Sequence, residues 1–140
     1  MITSAERELL RRDFEIQLPL PLAFGLELYE RLGELDPALA PPAAELDERA
    51  RRFAEGVTSG MVVLIDEGKV PDSLRRLGVS LRGEGVLGRD FDTFGTALLD
   101  VFERRLGDEL TAEGRAAWVA TWELFSAEMQ KAAMAAAAED

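Results

Sequence analysis

The stretch LDERARRFAEGVTSGMVVL, residues 46–64, decides the class of fold that this sequence forms. Its apolar side chains recur every three or four residues, which places them on one face of a helix about five turns long. The members of this face are Leu46, Ala50, Phe53, Val57, Met61 and Leu64. The pattern predicts the most regular amphipathic helix of the chain.

Two helices are predicted on the N-terminal side of this stretch. The first opens with the capping-box spacing of Thr3 and Glu6 and is interrupted by Pro19 and Pro21. Its apolar face consists of Leu10, Phe14 and Leu18. The second begins near residue 22, ends at Gly33 and the Asp-Pro pair at 36–37, and carries the apolar residues Leu28, Leu32 and Leu35.

Three further helices are predicted on the C-terminal side. Gly68 ends the central helix, a short helix runs from Pro71 to Leu77 and ends at Gly78, and a glycine-rich loop follows to residue 90. Two long helices complete the chain, with the apolar faces Phe91, Phe94, Leu98, Phe102, Leu106 and then Trp118, Trp122, Phe125, Met129. We therefore predict one all-α domain over residues 1–140, with 47% apolar residues to form its core.

The composition narrows the functions open to the chain. A formal net charge of −11 repels phosphate backbones and anionic lipids, so we expect neither nucleic-acid nor membrane binding. The chain has no cysteine for disulfides and no histidine, the commonest general base and metal ligand. No hydrolase, zinc-protease or phosphate-loop motif occurs, so we predict no enzyme. The charged N-terminus resembles no signal peptide, which favours a cytoplasmic location.

The sequence contains the residue pattern of one nucleotide-binding motif, but the predicted elements around it do not fit that motif. Residues 83–88, GEGVLG, spell the glycine pattern of dinucleotide-binding folds. That site needs a buried strand before the glycines and a second parallel strand after the helix. The four residues at 79–82 are too short for such a strand, and the segment after Gly107 is a helix, so we reject this interpretation.

Three pairs of short segments occur in the order and spacing of one known family of helical proteins. They are LYERL at 28–32 with DPAL at 36–39, LG at 77–78 with GV at 85–86, and LGD at 106–108 with AW at 117–118. Together they resemble bacterial single-domain globins and the globin domains of flavohaemoglobins. The resemblance implies a globin-like fold of about six to seven helices.

The positions that would face haem depart from the family pattern. Where the family has its iron-binding histidine this chain has Leu81, and Arg49 stands at the distal position usually taken by glutamine or histidine. The family's haem-wedging phenylalanine falls near Ala43, and Glu84 replaces an aromatic residue, while Tyr29 keeps the family's residue type. Four departures at one site imply a variant without haem, and so no cofactor and no metal. The resemblance then implies a vacated pocket formed by Tyr29, Arg49, Phe53, Leu81 and Glu84.

Two functions follow from the resemblance. The first is a non-haem globin-like sensor or protein-interaction module. Its pocket would be filled by Leu81 and Phe53, or would hold a small apolar molecule or a carboxylate bound by Arg49 and Arg82. The alternative is a haem- or oxygen-binding globin with unusual iron ligation through Tyr29 or a thioether. The thioethers available are Met61, Met129 and Met134.

The last two helices are predicted to bind a protein partner. Globin-like sensor domains, including the non-haem type of bacterial stressosome proteins, form dimers through these two helices. The resemblance therefore implies a homodimer, with Phe102, Trp122 and Phe125 on or near its interface, and a signalling protein as partner.

Overall fold

A computed structural model describes residues 2–139, and all regular structure in this range is helical. The six α-helices are α1 (Ser4–Phe14), α2 (Leu22–Leu35), α3 (Leu46–Glu67), α4 (Asp72–Gly83), α5 (Asp90–Leu106) and α6 (Ala112–Glu139). Short 3-10 turns lie at Glu15–Gln17, Pro37–Leu39, Ala43–Glu45 and Gly107–Glu109. The all-α prediction is confirmed. None of the helices within residues 2–139 has the length and apolarity needed to cross a membrane.

Two predicted helix ends are confirmed by their capping geometry. At the start of α1 the Thr3 hydroxyl accepts a hydrogen bond from the backbone N–H of Glu6 at 3.1 Å. The Glu6 carboxylate accepts one from the Thr3 N–H at 3.0 Å, which completes the capping box. The end of α3 is Gly68, whose φ of +69° lies in the left-handed region that glycine adopts without strain.

Two predicted ends were wrong. Helix α1 ends at Phe14, because the chain tightens into a 3-10 turn, with the Leu18 N–H bonded to the Glu15 carbonyl, before Pro19. Helix α4 continues past Gly78, which is buried against α6: a Cβ there would lie 2.5 Å from the Cβ of Met129. This glycine therefore permits close helix packing and does not terminate a helix.

The core between α1, α2, α5 and α6 is largely aromatic. Phe14 and Phe102 meet edge to face at 4.8 Å between ring centroids, and Trp118 lies 5.0 Å from Phe102. All three side chains are almost fully buried. Each such pair contributes roughly 0.5–1.5 kcal/mol beyond the burial of its apolar area.

The same packing corrects the predicted interface. Phe102, Trp122 and Phe125 are all buried within the single chain. The Trp122 indole N–H donates to the carbonyl of Phe91 at 2.8 Å, and the Phe125 ring packs against Gly60 of α3. The aromatic face of α6 therefore forms core, so Phe102 and Phe125 are not available to a second copy, while Trp122 only borders a surface groove. The homodimer itself stays a prediction.

The crossing of α2 over α3 positions the site described next. Gly25 and Ala50 face each other so closely that a Cβ on Gly25 would lie 2.8 Å from the Ala50 carbonyl carbon. Tyr29 lies one turn further along the same face of α2. Helix α3 carries Arg49 and Phe53 beside this crossing. The contact between the two backbones therefore brings these three side chains to one end of the molecule.

Candidate functional site

A pocket of about 170 Å³ lies where α2, α3 and α5 meet the connection between α4 and α5. Tyr29 of α2, Arg49 of α3 and Phe94 of α5 line it, together with residues 38–40 and Pro42 of the α2–α3 connection and residues 84–86 of the α4–α5 connection. Each side of the pocket is thus contributed by a different part of the chain.

Tyr29 supplies a free hydroxyl to this pocket. Only 4% of the residue is exposed, and its ring stands edge-on to Phe53 at 6.2 Å and to Phe94 at 6.1 Å. Its hydroxyl has no hydrogen bond within residues 2–138 and is not sealed from solvent, since it lies at the pocket. Burial raises the pKa of Tyr29 well above its ordinary value, and the nearby Glu84 carboxylate raises it further. The phenol is therefore protonated at neutral pH and can donate a hydrogen bond to a ligand.

A group of charged side chains closes the mouth of the pocket. The Glu84 carboxylate lies 3.1 Å from an Nη of Arg52 and 3.5 Å from Nε of Arg49. An Nη of Arg49 also contacts Glu45 at 2.9 Å, one turn earlier. The buried Nε of Arg49 has an ion-pair neighbour but no hydrogen bond within residues 2–139. The cation at the pocket is therefore incompletely satisfied.

Glu84 is held in position by the backbone that ends α4. Its N–H donates to the carbonyl of Ser80, and the N–H of Val86 donates back to the carbonyl of Leu81. Gly85 between them has φ +93°, which a side chain would strain. The turn places Glu84 against the two arginines. Burial raises the pKa of Glu84, although both guanidinium groups oppose the shift.

Of the five residues predicted for the pocket, three line it: Tyr29, Arg49 and Glu84. Phe53 packs behind the Tyr29 ring, and Leu81 is buried in α4 outside the lining. The role of all five residues in ligand binding stays a prediction.

Other residues lie differently from what the sequence analysis anticipated. Arg82, predicted to pair with Arg49, borders a separate groove. Sequence reasoning missed Phe94, Val86 and the segment 38–42, because only the folded chain brings those connections to the pocket.

The interior beside the pocket is filled by aromatic rings. Phe53 and Phe94 stack at 5.3 Å between ring centroids with an interplanar angle of 23°. Trp122 lies 6.4 Å from Phe53 on the far side. Ligand pockets generally measure roughly 300–1,000 Å³, so the space beside Tyr29 is smaller than a large ligand requires.

Comparison with known proteins decides the family of this fold. The family model described as Globin matches residues 27–129. The chain belongs to the globin family. Its fold is similar to that of a flavohaemoglobin from Malassezia yamatoensis determined with bound FAD and haem, with a TM-score of 0.80 at 15% sequence identity. The match covers 98% of this globin chain but only 38% of the flavohaemoglobin chain.

These findings correct the expectation that the chain takes no cofactor. Membership of the globin family points to haem, which is bound in the similar flavohaemoglobin. The expectation rested on four departures from the family pattern, at Leu81, Arg49, Ala43 and Glu84, and the findings favour the alternative, a haem-binding globin with unusual iron ligation.

The donor side chains at the pocket fit haem, but the closed space does not. The Tyr29 hydroxyl is a ligand type found on haem iron, and Arg49 and Arg52 are cations of the kind that pair with the haem carboxylates. A volume of about 170 Å³ does not admit a macrocycle while Phe53 and Phe94 remain stacked. Binding therefore requires these rings to separate.

Proposed function

We propose that this chain is a haem-binding globin domain in which Tyr29, and not a histidine, holds the iron. The observation that carries the proposal is Tyr29, a residue only 4% exposed whose hydroxyl lies at the pocket, where it has no hydrogen bond within residues 2–138 and is open to a ligand. The chain has no histidine at all, so an oxygen or a thioether must serve. When bound, haem supplies an iron centre with a position open to a small ligand.

Tyrosine is favoured over methionine as the ligand. Met61 and Met129 are fully buried in the core and do not line the pocket, while Met134 borders a different groove. Burial keeps the free phenol protonated, but a bound cation reverses this preference because the phenolate gains an opposite charge beside it. Iron binding at Tyr29 is therefore coupled to the release of one proton.

The arginines at the mouth support the same proposal. Arg49 and Arg52 now share the carboxylate of Glu84, and a haem carboxylate would compete with Glu84 for these two cations. Arginine suits this exchange because its planar guanidinium binds a carboxylate through two parallel hydrogen bonds. The pocket thus offers a ligand for the metal and cations for the acidic edge of the macrocycle.

The pocket must open before haem can bind, and the free-energy cost of opening weakens haem binding. Separating the stacked Phe53 and Phe94 rings forfeits roughly 0.5–1.5 kcal/mol of aromatic interaction. The segments that must move are the connections at 38–42 and 84–86, which lie outside the α-helices. We therefore expect haem affinity to be lower than in a pocket that is already open.

The test is a titration of the purified protein with hemin, followed by gel filtration and an absorption spectrum. We expect a retained Soret band at one haem per chain. Leu81→His restores a nitrogen ligand at the family position and should raise haem affinity about tenfold or more. Leu77→His places a histidine one turn earlier on α4, where the side chain is also buried, and should not raise it.

Two results would contradict the proposal. A wild-type protein that retains no Soret band from excess hemin does not bind haem in this way. If Leu81→His retains haem when the wild type does not, the pocket admits the macrocycle but Tyr29 does not hold the iron. The sensor role, the signalling partner and the cytoplasmic location stay predictions.

A further inference from the structure

A second concave site lies on the opposite side of the α4–α5 connection. It is a groove of about 290 Å³ between that connection and the C-terminal part of α6. Its apolar lining consists of Val86, Leu87, Phe91, Ala133 and Met134. It shares only Val86 with the Tyr29 pocket, so the two sites are separate.

The groove exposes apolar side chains to water. Leu87 is 49% exposed and Met134 is 66% exposed, and both border the same space. Single exposed apolar residues are normal on a protein surface, but several around one concavity are typical of a ligand site. The volume lies near the lower limit of about 300 Å³ for such sites, which favours a small ligand.

The polar side chains of the groove are Arg82 and Gln130. The Arg82 guanidinium forms no ion pair or hydrogen bond with any group in residues 2–138, and no acidic side chain lines the groove. Arg49 differs, since Glu45 and Glu84 both contact it. Gln130 donates to the Ser126 hydroxyl at 2.8 Å, so its amide group is held at the groove wall.

We propose that this groove binds an aliphatic carboxylate. The Arg82 guanidinium would bind the carboxylate group, and the chain would lie against Val86, Leu87, Phe91 and Met134. Charge decides the occupant, because a lone cation beside an apolar surface complements a molecule with an acidic end and an apolar tail.

The experiment is isothermal titration calorimetry of the haem-free protein with octanoate, below the concentration at which it forms micelles. Each methylene group contributes about fourfold in affinity, so hexanoate should bind roughly fifteenfold more weakly. Octanol, which lacks the charge, and the variant Arg82→Gln should each weaken binding about tenfold or more. Arg89→Gln removes an exposed arginine of the same connection that lies outside the groove, and should leave affinity unchanged.

Three results would overturn the assignment. They are no measurable heat with octanoate, equal losses in Arg82→Gln and Arg89→Gln, or octanol binding as tightly as octanoate. The variant Tyr29→Phe tests whether octanoate binds in the groove or in the Tyr29 pocket. Octanoate affinity should be unchanged in this variant, and a large loss of affinity would show that octanoate binds in the pocket. Since no haem is present, failure here is independent of the haem proposal.

Discussion

The crossing of α2 over α3 and the pocket one turn further along α2 differ in what separates the two helices. At Gly25 nothing separates them, and the helix backbones touch at Ala50. At Tyr29 a large side chain stands between them with its hydroxyl toward a cavity. The comparison shows that a tight crossing can hold two helices while a ligand site opens beside it.

The two regions also differ in how well their polar groups are satisfied. At the crossing the groups in contact are helix backbone, which is already hydrogen-bonded within the helices. At the pocket the buried Nε of Arg49 has no hydrogen bond within residues 2–139, and the Tyr29 hydroxyl is left to solvent or a ligand. In the aromatic core the Trp118 indole N–H is unsatisfied as well, so it is the exposure of the pocket to a ligand that distinguishes these polar groups.

The largest effect on stability is expected from adding a side chain at the crossing of α2 and α3. Gly25→Ala forces a Cβ against the Ala50 backbone, which cannot rotate away, and should lower the free energy of unfolding by about 1–3 kcal/mol or more. Urea unfolding followed by circular dichroism measures this change.

A matched control lies on the same helix. Gly33→Ala meets only the Ala40 Cβ at 3.5 Å, an ordinary contact, and should raise stability by roughly 0.5–1 kcal/mol through helix propensity. Equal changes in the free energy of unfolding for the two substitutions would show that the helices are not in close contact at Gly25.

A second test concerns the charge at the pocket mouth. Burial raises the pKa of Glu84 in the folded state above its unfolded value, so ionisation of Glu84 disfavours folding. The stability linked to its protonated form is complete below the unfolded pKa and is lost as pH rises through the folded pKa. The wild type should therefore lose stability relative to Glu84→Gln as pH rises from about 4 toward neutral.

This pH dependence is measured by urea unfolding of both proteins at each pH. Glu55→Gln removes an exposed carboxylate of α3 and controls for the change in net charge. The raised pKa of Glu84 would be contradicted in either of two cases. The difference in free energy of unfolding between wild type and Glu84→Gln could stay constant with pH, or the wild type could become relatively more stable as pH rises.

The periodicity of apolar residues was sufficient to predict the helices, while the globin fold was predicted from the resemblance of short segments to that family. It was not sufficient to assign the function of a glycine, since the sequence does not distinguish Gly78, which allows α4 to touch Met129, from Gly68, which ends α3. It also does not distinguish a core aromatic from an interface aromatic, and Trp122 and Phe125 proved to be core.

The candidate site was predicted in part. The motif register brought Tyr29, Arg49 and Glu84 to one pocket, because each occupies a fixed position on a helix or at its end. It did not separate Arg82 from Arg49, since these residues lie on different helices, α4 and α3, and border different concavities. The loss of histidine at Leu81 was read as loss of haem, which the comparisons contradict.

The most direct test of the account is resonance Raman spectroscopy of the ferric haem complex, wild type against Tyr29→Phe. Because the hydroxyl has no partner within residues 2–139, its removal should change the free energy of unfolding by less than about 1 kcal/mol. The account predicts phenolate vibrations, enhanced by excitation of the iron–phenolate charge-transfer transition, in the wild type and their loss in Tyr29→Phe, with weaker haem binding. Identical spectra from the two proteins would contradict it.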